Sequence, residues 1–205
     1  MRVLTIANFK GGAGKTITAA WTAHALAESG LNTYVADADP QGSATLWAAA
    51  ADWSVPVAGL AVNNLHSRLA GVSGSRDVVV IDTPPLEDHR AIVTSALRAA
   101  THVMIPIGPY PVEYVQLPKL ADALHDVAPL RETSPTVGVL MVRVRAGTAG
   151  YASHREAISN GGWNVLSAHV PLWERYGQSY GASITGAGGS GYADAAAELL
   201  TQEPT

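Results

Sequence analysis

Residues Lys10 to Thr16 read Lys-Gly-Gly-Ala-Gly-Lys-Thr, and Lys10 and Lys15 are two of only three lysines in the chain. Gly11, Gly12 and Gly14 let a backbone curl until successive N–H groups face one anion, where side chains would obstruct its approach. Lys15 is then within reach of β- and γ-phosphates, and the Thr16 hydroxyl can serve Mg²⁺. A helix opening here adds the positive end of its dipole. The backbone N–H of Ile17 can still reach an α-phosphate, although a hydroxyl-bearing residue there would offer more. Together with Ala13, these residues predict a cradle for a nucleoside triphosphate.

Such a cradle needs a strand behind it and a helix in front. The apolar run Val3-Leu4-Thr5-Ile6-Ala7 precedes the loop, and a helical stretch over 15–29 follows, closed by Gly30 in the position of a C-terminal cap. Further strands are predicted at 33–37, 77–82, 102–107, 135–142 and 165–170, after a first at 2–7. Helices are predicted at 42–50, 88–99, 112–128, 149–161 and 190–202, with Pro118 kinking or splitting the third of these five. Val78-Val79-Val80-Ile81 and His102-Val103-Met104-Ile105 are continuous β-rich runs, as strands buried on both faces require. Strand–helix alternation over 1–205 therefore predicts one α/β domain, a doubly wound and mainly parallel sheet with helices on both faces and its ligand at the C-terminal strand ends. Segment 52–76, with Pro56, Gly59, Gly71 and Gly74, is the least regular and is expected to be a surface connection.

Three acids, Asp37, Asp39 and Asp82, lie just past apolar strands and hence beside the loop. Asp82 follows four apolar residues, the pattern of an acid that holds Mg²⁺ through water. Asp is also common at helix N-caps and in turns, which leaves a purely structural use open for each. The seven histidines are dispersed without metal-ligand spacing.

Composition narrows the classes. Zero cysteines exclude a disulfide framework, a thiolate zinc site and a cysteine-bound iron–sulfur cluster. No apolar stretch approaches the 18 or so residues of a membrane span, and no signal peptide is visible, so a cytoplasmic protein is expected. A net charge of −4 with ten scattered arginines gives no dense basic stripe.

Counted from Asn8, the loop lacks the usual first glycine and carries a second lysine, Lys10, five residues before Lys15: a deviant Walker A motif. With Asp37-Ala38-Asp39-Pro40-Gln41-Gly42-Ser43-Ala44 and Asp82-Thr83-Pro84-Pro85, the chain resembles the ParA/MinD deviant-Walker ATPases, most of all the short ParA-type partition ATPases. Pro106-Ile107-Gly108-Pro109-Tyr110-Pro111 and Val170-Pro171 agree. The resemblance implies a P-loop NTPase of the SIMIBI class, with ATP and Mg²⁺ as cofactors. It makes Asp39 the acid that positions the attacking water, Asp82 the Walker B acid, and Asp37 a support for the metal's water shell beside Thr16. It gives Lys10 a role in trans, on the phosphates of a partner subunit in a nucleotide-sandwich dimer, with Gly11 where the two loops approach. It also implies adenine contacts around Arg143 and Pro171.

The implied function is partition or cargo positioning: an ATP-driven homodimer binds DNA nonspecifically, and a ParB-like or other small adaptor stimulates hydrolysis and release. Arg143, Arg145, Arg155 and Arg175 are candidates for the DNA surface, with an ordinary solvated arginine as the alternative at each. The aromatics of Trp173-Glu174-Arg175-Tyr176 are expected to pack. Competing readings are a MinD-like membrane-cycling ATPase, disfavoured because Ala195 to Thr205 holds Glu198 and Glu203 and no Lys or Arg, a metabolic ligase relative, disfavoured by Lys10, and a nucleotide-dependent scaffold, disfavoured by Asp39 and Asp82. Because the chain begins at its first strand, no N-terminal operator-binding domain is expected.

Overall fold

Seven strands form one sheet in the order β3-β2-β4-β1-β5-β6-β7, every pairing parallel. They are β1 (Arg2–Ile6), β2 (Thr33–Asp37), β3 (Val57–Gly59), β4 (Val78–Asp82), β5 (His102–Ile107), β6 (Thr136–Val144) and β7 (Val165–Pro171). The computed structural model describes residues 1–204, the side chains of Val72 and Ser73 excepted, so Thr205 lies outside the described residues. β4 and β5 are buried at every position, which is why their sequences are apolar without alternation.

Helices cover both faces. Leu4, Ile6, Val78 and Val80 belong to the apolar cluster under α1 (Lys15–Glu28), α2 (Ser43–Ala51) and α9 (Gly191–Leu200). Val3, Val79 and Ile81 point the other way, toward α3 (Leu65–Ser73) and α4 (Arg90–Ala99). The period-two alternation of a strand thus supplies two cores from one run of valines. α6 (Leu117–Val127) covers β5 and β6 through Leu117, Leu120 and Ala123, in one cluster with Ile158 of α7 (Ala149–Asn160). Pro118 does split its segment: α5 (Pro111–Tyr114) is one turn, and the proline sits in the first turn of α6, where a missing N–H costs nothing. Gly30 adopts φ 92° after α1, and its N–H bonds to the Ala27 carbonyl, the expected cap.

The expectation of an irregular connection over 52–76 is corrected. The edge strand β3 and helix α3 lie within it, because Leu65 and Leu69, four residues apart, are buried as one helical stripe. Three-residue β3 is too short for periodicity to reveal. A further turn, α8 (Glu174–Gly177), follows β7.

At the start of α9, Ser190 caps the helix by accepting the Ala193 N–H, and Gly191 lies so close to β7 that a Cβ there would run into the His169 carbonyl. Gly191→Ala should therefore push α9 off the sheet and destabilise the protein by about 1–3 kcal/mol. Thermal unfolding tests this, and an unchanged midpoint would contradict the close approach.

Candidate functional site

Parallel register sets the site. Ile6 of β1 and Asp37 of β2 both pair with Asp82 of the intervening β4, so three adjacent strands end level. The glycine loop leaves β1 at that level, and the sheet order turns from leftward to rightward on either side of β1, the switch point where a crevice opens in such sheets.

Gly12 and Gly14 adopt φ 73° and 84°, and a Cβ on either would meet no protein atom. The constraint is therefore backbone conformation rather than crowding, and the space in front of the loop is open. Gly14 is the N-cap residue of α1, with no side-chain cap, so the first N–H groups of the helix remain available to an anion. Ala13 and Lys15 are buried, Thr16 and Ile17 half-buried. The Lys15 ammonium donates to the Lys10 carbonyl at 3.0 Å, folding the loop over itself. Burial lowers the Lys15 pKa, and Asp82 and then Asp39 act against that shift. Lys10 is exposed, and its ammonium makes no hydrogen bond or ion pair among the described residues.

Asp82 is fully buried, and no donor reaches either of its oxygens with hydrogen-bond geometry. Burial pushes its pKa up to about 7, with Asp37 adding to the rise, while the nearby Thr16 hydroxyl and Lys15 oppose it. A carboxylate left unpartnered beside a threonine hydroxyl at a helix N-terminus is a setting a divalent cation would relieve. Among the described residues no group of three or more His, Cys, Asp or Glu could hold a metal by itself. That fits Mg²⁺, which binds through one or two carboxylates and completes its shell with water and phosphate. Asp82 and Thr16 suit this role.

Asp37 is already engaged. It accepts the Asp39 N–H on one oxygen, and the Thr45 N–H and hydroxyl at 2.8 and 2.9 Å on the other. It caps α2, whose own N-cap residue Gly42 has no side chain to do so. Burial raises its pKa, and the Thr45 bonds counter this. Asp39, half-buried, accepts the Gln41 N–H at 2.9 Å and leaves its other oxygen free among the described residues.

On the far side of the loop, a cavity of 490 Å³ lies between Ile17, Arg143, Pro171, Trp173 and Tyr176. Arg143 and Pro171 thus line one cavity, with room for a flat ring. Tyr176 is buried as packing, but Trp173 is 53% exposed at the rim.

The expected arginine surface is corrected. Arg143 has φ 57°, a left-handed conformation that interrupts the regular alternation of β6. Its guanidinium binds Glu113 and the Gly12 carbonyl. Arg155 donates to the carbonyls of Val165 and Leu166. Arg175 lies over Trp21, Tyr176 and Trp173, at 4.8, 5.0 and 5.7 Å. Of the four, Arg145 alone is exposed without such contacts among the described residues. Sequence reading missed Asn8, whose buried amide donates to the Pro106 carbonyl at 2.7 Å and whose Oδ1 accepts the Lys10 N–H. It missed Glu113 as well; neither belongs to a spacing that marks it.

Residues 4–182 match the profile described as the CobQ/CobB/MinD/ParA nucleotide binding domain. The chain belongs to this family. Its sheet and surrounding helices are the P-loop NTPase fold of ParA and MinD. Among relatives, Maintenance of carboxysome distribution protein A from Gloeobacter kilaueensis is 32% identical over 183 residues, covering 88% of this chain and 78% of that one. Protein ParA from Rhizobium radiobacter is 32% identical over 114 residues, 53% of this chain and 50% of that one. Among solved structures, apo McdA from Cyanthece superposes with a TM-score of 0.76 at 20% identity, covering 98% of this chain and 99% of that one. Cobyrinic acid a,c-diamide synthase from Mycobacterium smegmatis, with a bound ATP analogue and magnesium, gives 0.73 at 23%, covering 88% and 91%.

The raised pKa of Asp82 has a sign. The folded state holds its proton up to about pH 7, whereas an unfolded aspartate releases it near its ordinary 3.8. Stability of the ligand-free protein should therefore fall as pH rises between those values and level off above them. Asp82→Asn, neutral at every pH, should remove this slope and stabilise the ligand-free protein at pH 8 by up to about 4 kcal/mol. Urea unfolding at several pH values measures it, and an identical pH slope in the variant would place the titration elsewhere.

Proposed function

We propose that the chain is a ParA-type positioning ATPase that hydrolyses ATP with Mg²⁺. One observation carries this reading: a left-handed glycine loop opens onto a buried lysine, with an unpartnered buried aspartate and a half-free second aspartate beside it. In this reading the loop and the α1 N-terminus hold the phosphates, Lys15 balances charge on the transferred group, and Asp82 with Thr16 holds Mg²⁺. The metal ion would draw charge from the phosphate oxygens. Asp39 orients the attacking water through its free oxygen, and Asp37 supports the ion's surroundings indirectly, by fixing α2 and the Asp39 backbone. Ile17, Pro171 and Trp173 form the base side, which Arg143 borders from the glycine loop.

The surface supports an ATP-driven dimer. Tyr110, Val112 and Val115 around α5, with Leu172 and Trp173 after β7, are large apolar side chains 52–60% exposed; Val112 borders the loop at Lys10 to Ala13, and Leu172 and Trp173 border it at Gly14. Lys10, beside Val112 and without a side-chain partner among the described residues, would reach a partner's phosphates. The apolar side of α9 is buried against the fold through Tyr192, Ala195, Ala196 and Leu199, so this helix is not free to lie on a lipid surface. No helix among the described residues is long and apolar enough to cross a membrane. The names of the relatives point to positioned cargo, a carboxysome in one, and a small adaptor that stimulates turnover belongs to the same reading. DNA would be the nonspecific track, contacted by Arg145 of both subunits; doubling the phosphate contacts raises affinity steeply and makes it salt-dependent.

Asp39→Ala should bind ATP, accumulate as a dimer and hold DNA of arbitrary sequence without turnover. The ADP form should bind DNA little, and Arg145→Ala should flatten the salt dependence of the ATP form. Sedimentation combined with DNA-binding isotherms reads all three. A variant that hydrolyses at the wild-type rate would move the water-positioning role away from Asp39, and an ATP dimer without DNA affinity at low salt would end the DNA part of the proposal.

Gly11 gives a cleaner test of assembly. Within the subunit its added Cβ would only touch Pro85, at 3.7 Å, and its φ is not left-handed. Gly11→Val should therefore fold and bind ATP, yet stay monomeric because the obstruction arises only across the dimer. A normal ATP-dependent dimer in analytical ultracentrifugation would refute this placement.

A further inference from the structure

Among the described residues, Arg143 is one of two other than glycine with positive φ, the other being Asp52 in a helix cap. The left-handed turn ends the regular alternation of β6 and aims the guanidinium back at the glycine loop. There Nη1 donates to the Gly12 carbonyl at 3.0 Å, and Nη2 lies 3.0 Å from each oxygen of Glu113. Glu113 in turn accepts the backbone N–H of Gly108 at 2.6 Å. Gly108 leaves room for this: a Cβ there would collide with the Glu113 carboxylate and lie 2.9 Å from Arg143 Nη2. The Arg143 Nε stays buried without a partner, a cost that the remaining contacts must offset. Two strand ends, a helical turn and the glycine loop are thus joined through one ion pair.

We propose that Glu113 and Arg143 form a positioning latch for the phosphate loop: by holding the Gly12 carbonyl, the pair fixes the orientation of the Gly12–Ala13 peptide. This rests on reading the loop as a phosphate cradle. A trans peptide carries its N–H antiparallel to its C=O, so an arginine that captures the Gly12 oxygen directs the Ala13 N–H the opposite way. Gly12 has no Cβ and adopts φ 73°, so the peptide beside it is free of the steric restraint a side chain would impose on a flip. A flipped peptide would exchange a donor for a carbonyl oxygen in a cradle meant for anions. Glu113 keeps the guanidinium in place, and the N–H of Gly108 keeps Glu113 in place. The role differs from a base contact, although Arg143 also borders the cavity beside Trp173.

The two roles separate with inorganic tripolyphosphate, which has phosphates and no base. Arg143→Ala and Glu113→Ala should each weaken Mg·ATP and Mg·tripolyphosphate alike, by about tenfold. The double variant should be no worse than the weaker-binding single one, because both remove the same constraint. Glu113→Gln, nearly isosteric, should show the same direction and carries the test if an alanine variant fails to fold. Affinity lost for ATP alone would make Arg143 a base contact and overturn the latch, and additive losses or unchanged affinities would overturn it too. If the wild-type protein bound neither probe, the nucleotide reading itself would fail. The latch would then be decided by NMR relaxation dispersion at the Ala13 amide: microsecond-to-millisecond exchange in Glu113→Ala and none in the wild type is expected, and equal behaviour would refute it.

Discussion

A fully buried carboxylate without a hydrogen-bond donor is among the most expensive things a fold can carry. Asp82 is held in that condition by ordinary means. It is the last residue of a strand buried on both faces, and β1 and β2 pair with it on either side. The surrounding site can be understood as the set of groups that tolerate or relieve its charge. Lys15 and Thr16 lie within its field, Asp37 is turned aside to cap α2, and the loop presents N–H groups toward the same open space. A protonated Asp82 and a cation-bound Asp82 are two answers to one electrostatic problem, and the second is what a nucleotide with Mg²⁺ would bring.

The glycine loop works under a related tension. Its two left-handed glycines give the backbone the curvature an anion cradle needs, but the same freedom permits other curvatures. The loop is constrained by its surroundings instead: Lys15 folds back to the Lys10 carbonyl, Asn8 holds the Lys10 N–H, and Arg143 holds the Gly12 carbonyl. Each constraint comes from a different part of the chain. Such pre-organisation reduces the ordering that ligand binding must accomplish.

Charge illustrates how residue type can mislead. Ten arginines in an acidic chain invite a search for those that meet DNA, and four positions near the site are natural candidates. In the folded protein one of the four is tied to a glutamate and the loop, one to strand carbonyls, and one sits against three aromatic rings. A guanidinium has five donors in a planar fork and is as useful inside a fold as on a phosphate backbone. Only the surroundings distinguish the uses.

Much was nonetheless decided by local sequence. The glycine loop between an apolar run and a helix, the acids at strand ends, the split at Pro118 and the cap at Gly30 follow from short-range stereochemistry, and the fold class follows from their alternation. Long apolar runs in β4 and β5 declared their burial. Short elements did not: β3 has three residues, below any period, and α3 is marked only by Leu65 and Leu69. What the tertiary structure alone decided is the engagement of each polar side chain. Asp37 became a cap for α2, Arg143 left the strand alternation to meet Glu113 and Gly12, and Asn8 became a brace for the loop. Each of these depends on a partner brought close by strand register or helix packing, 8, 30, 131 or 98 residues away along the chain. Backbone stereochemistry acts over a few residues and can be read from their order, whereas hydrogen bonds and charges act through space and require the packed fold to define their neighbours.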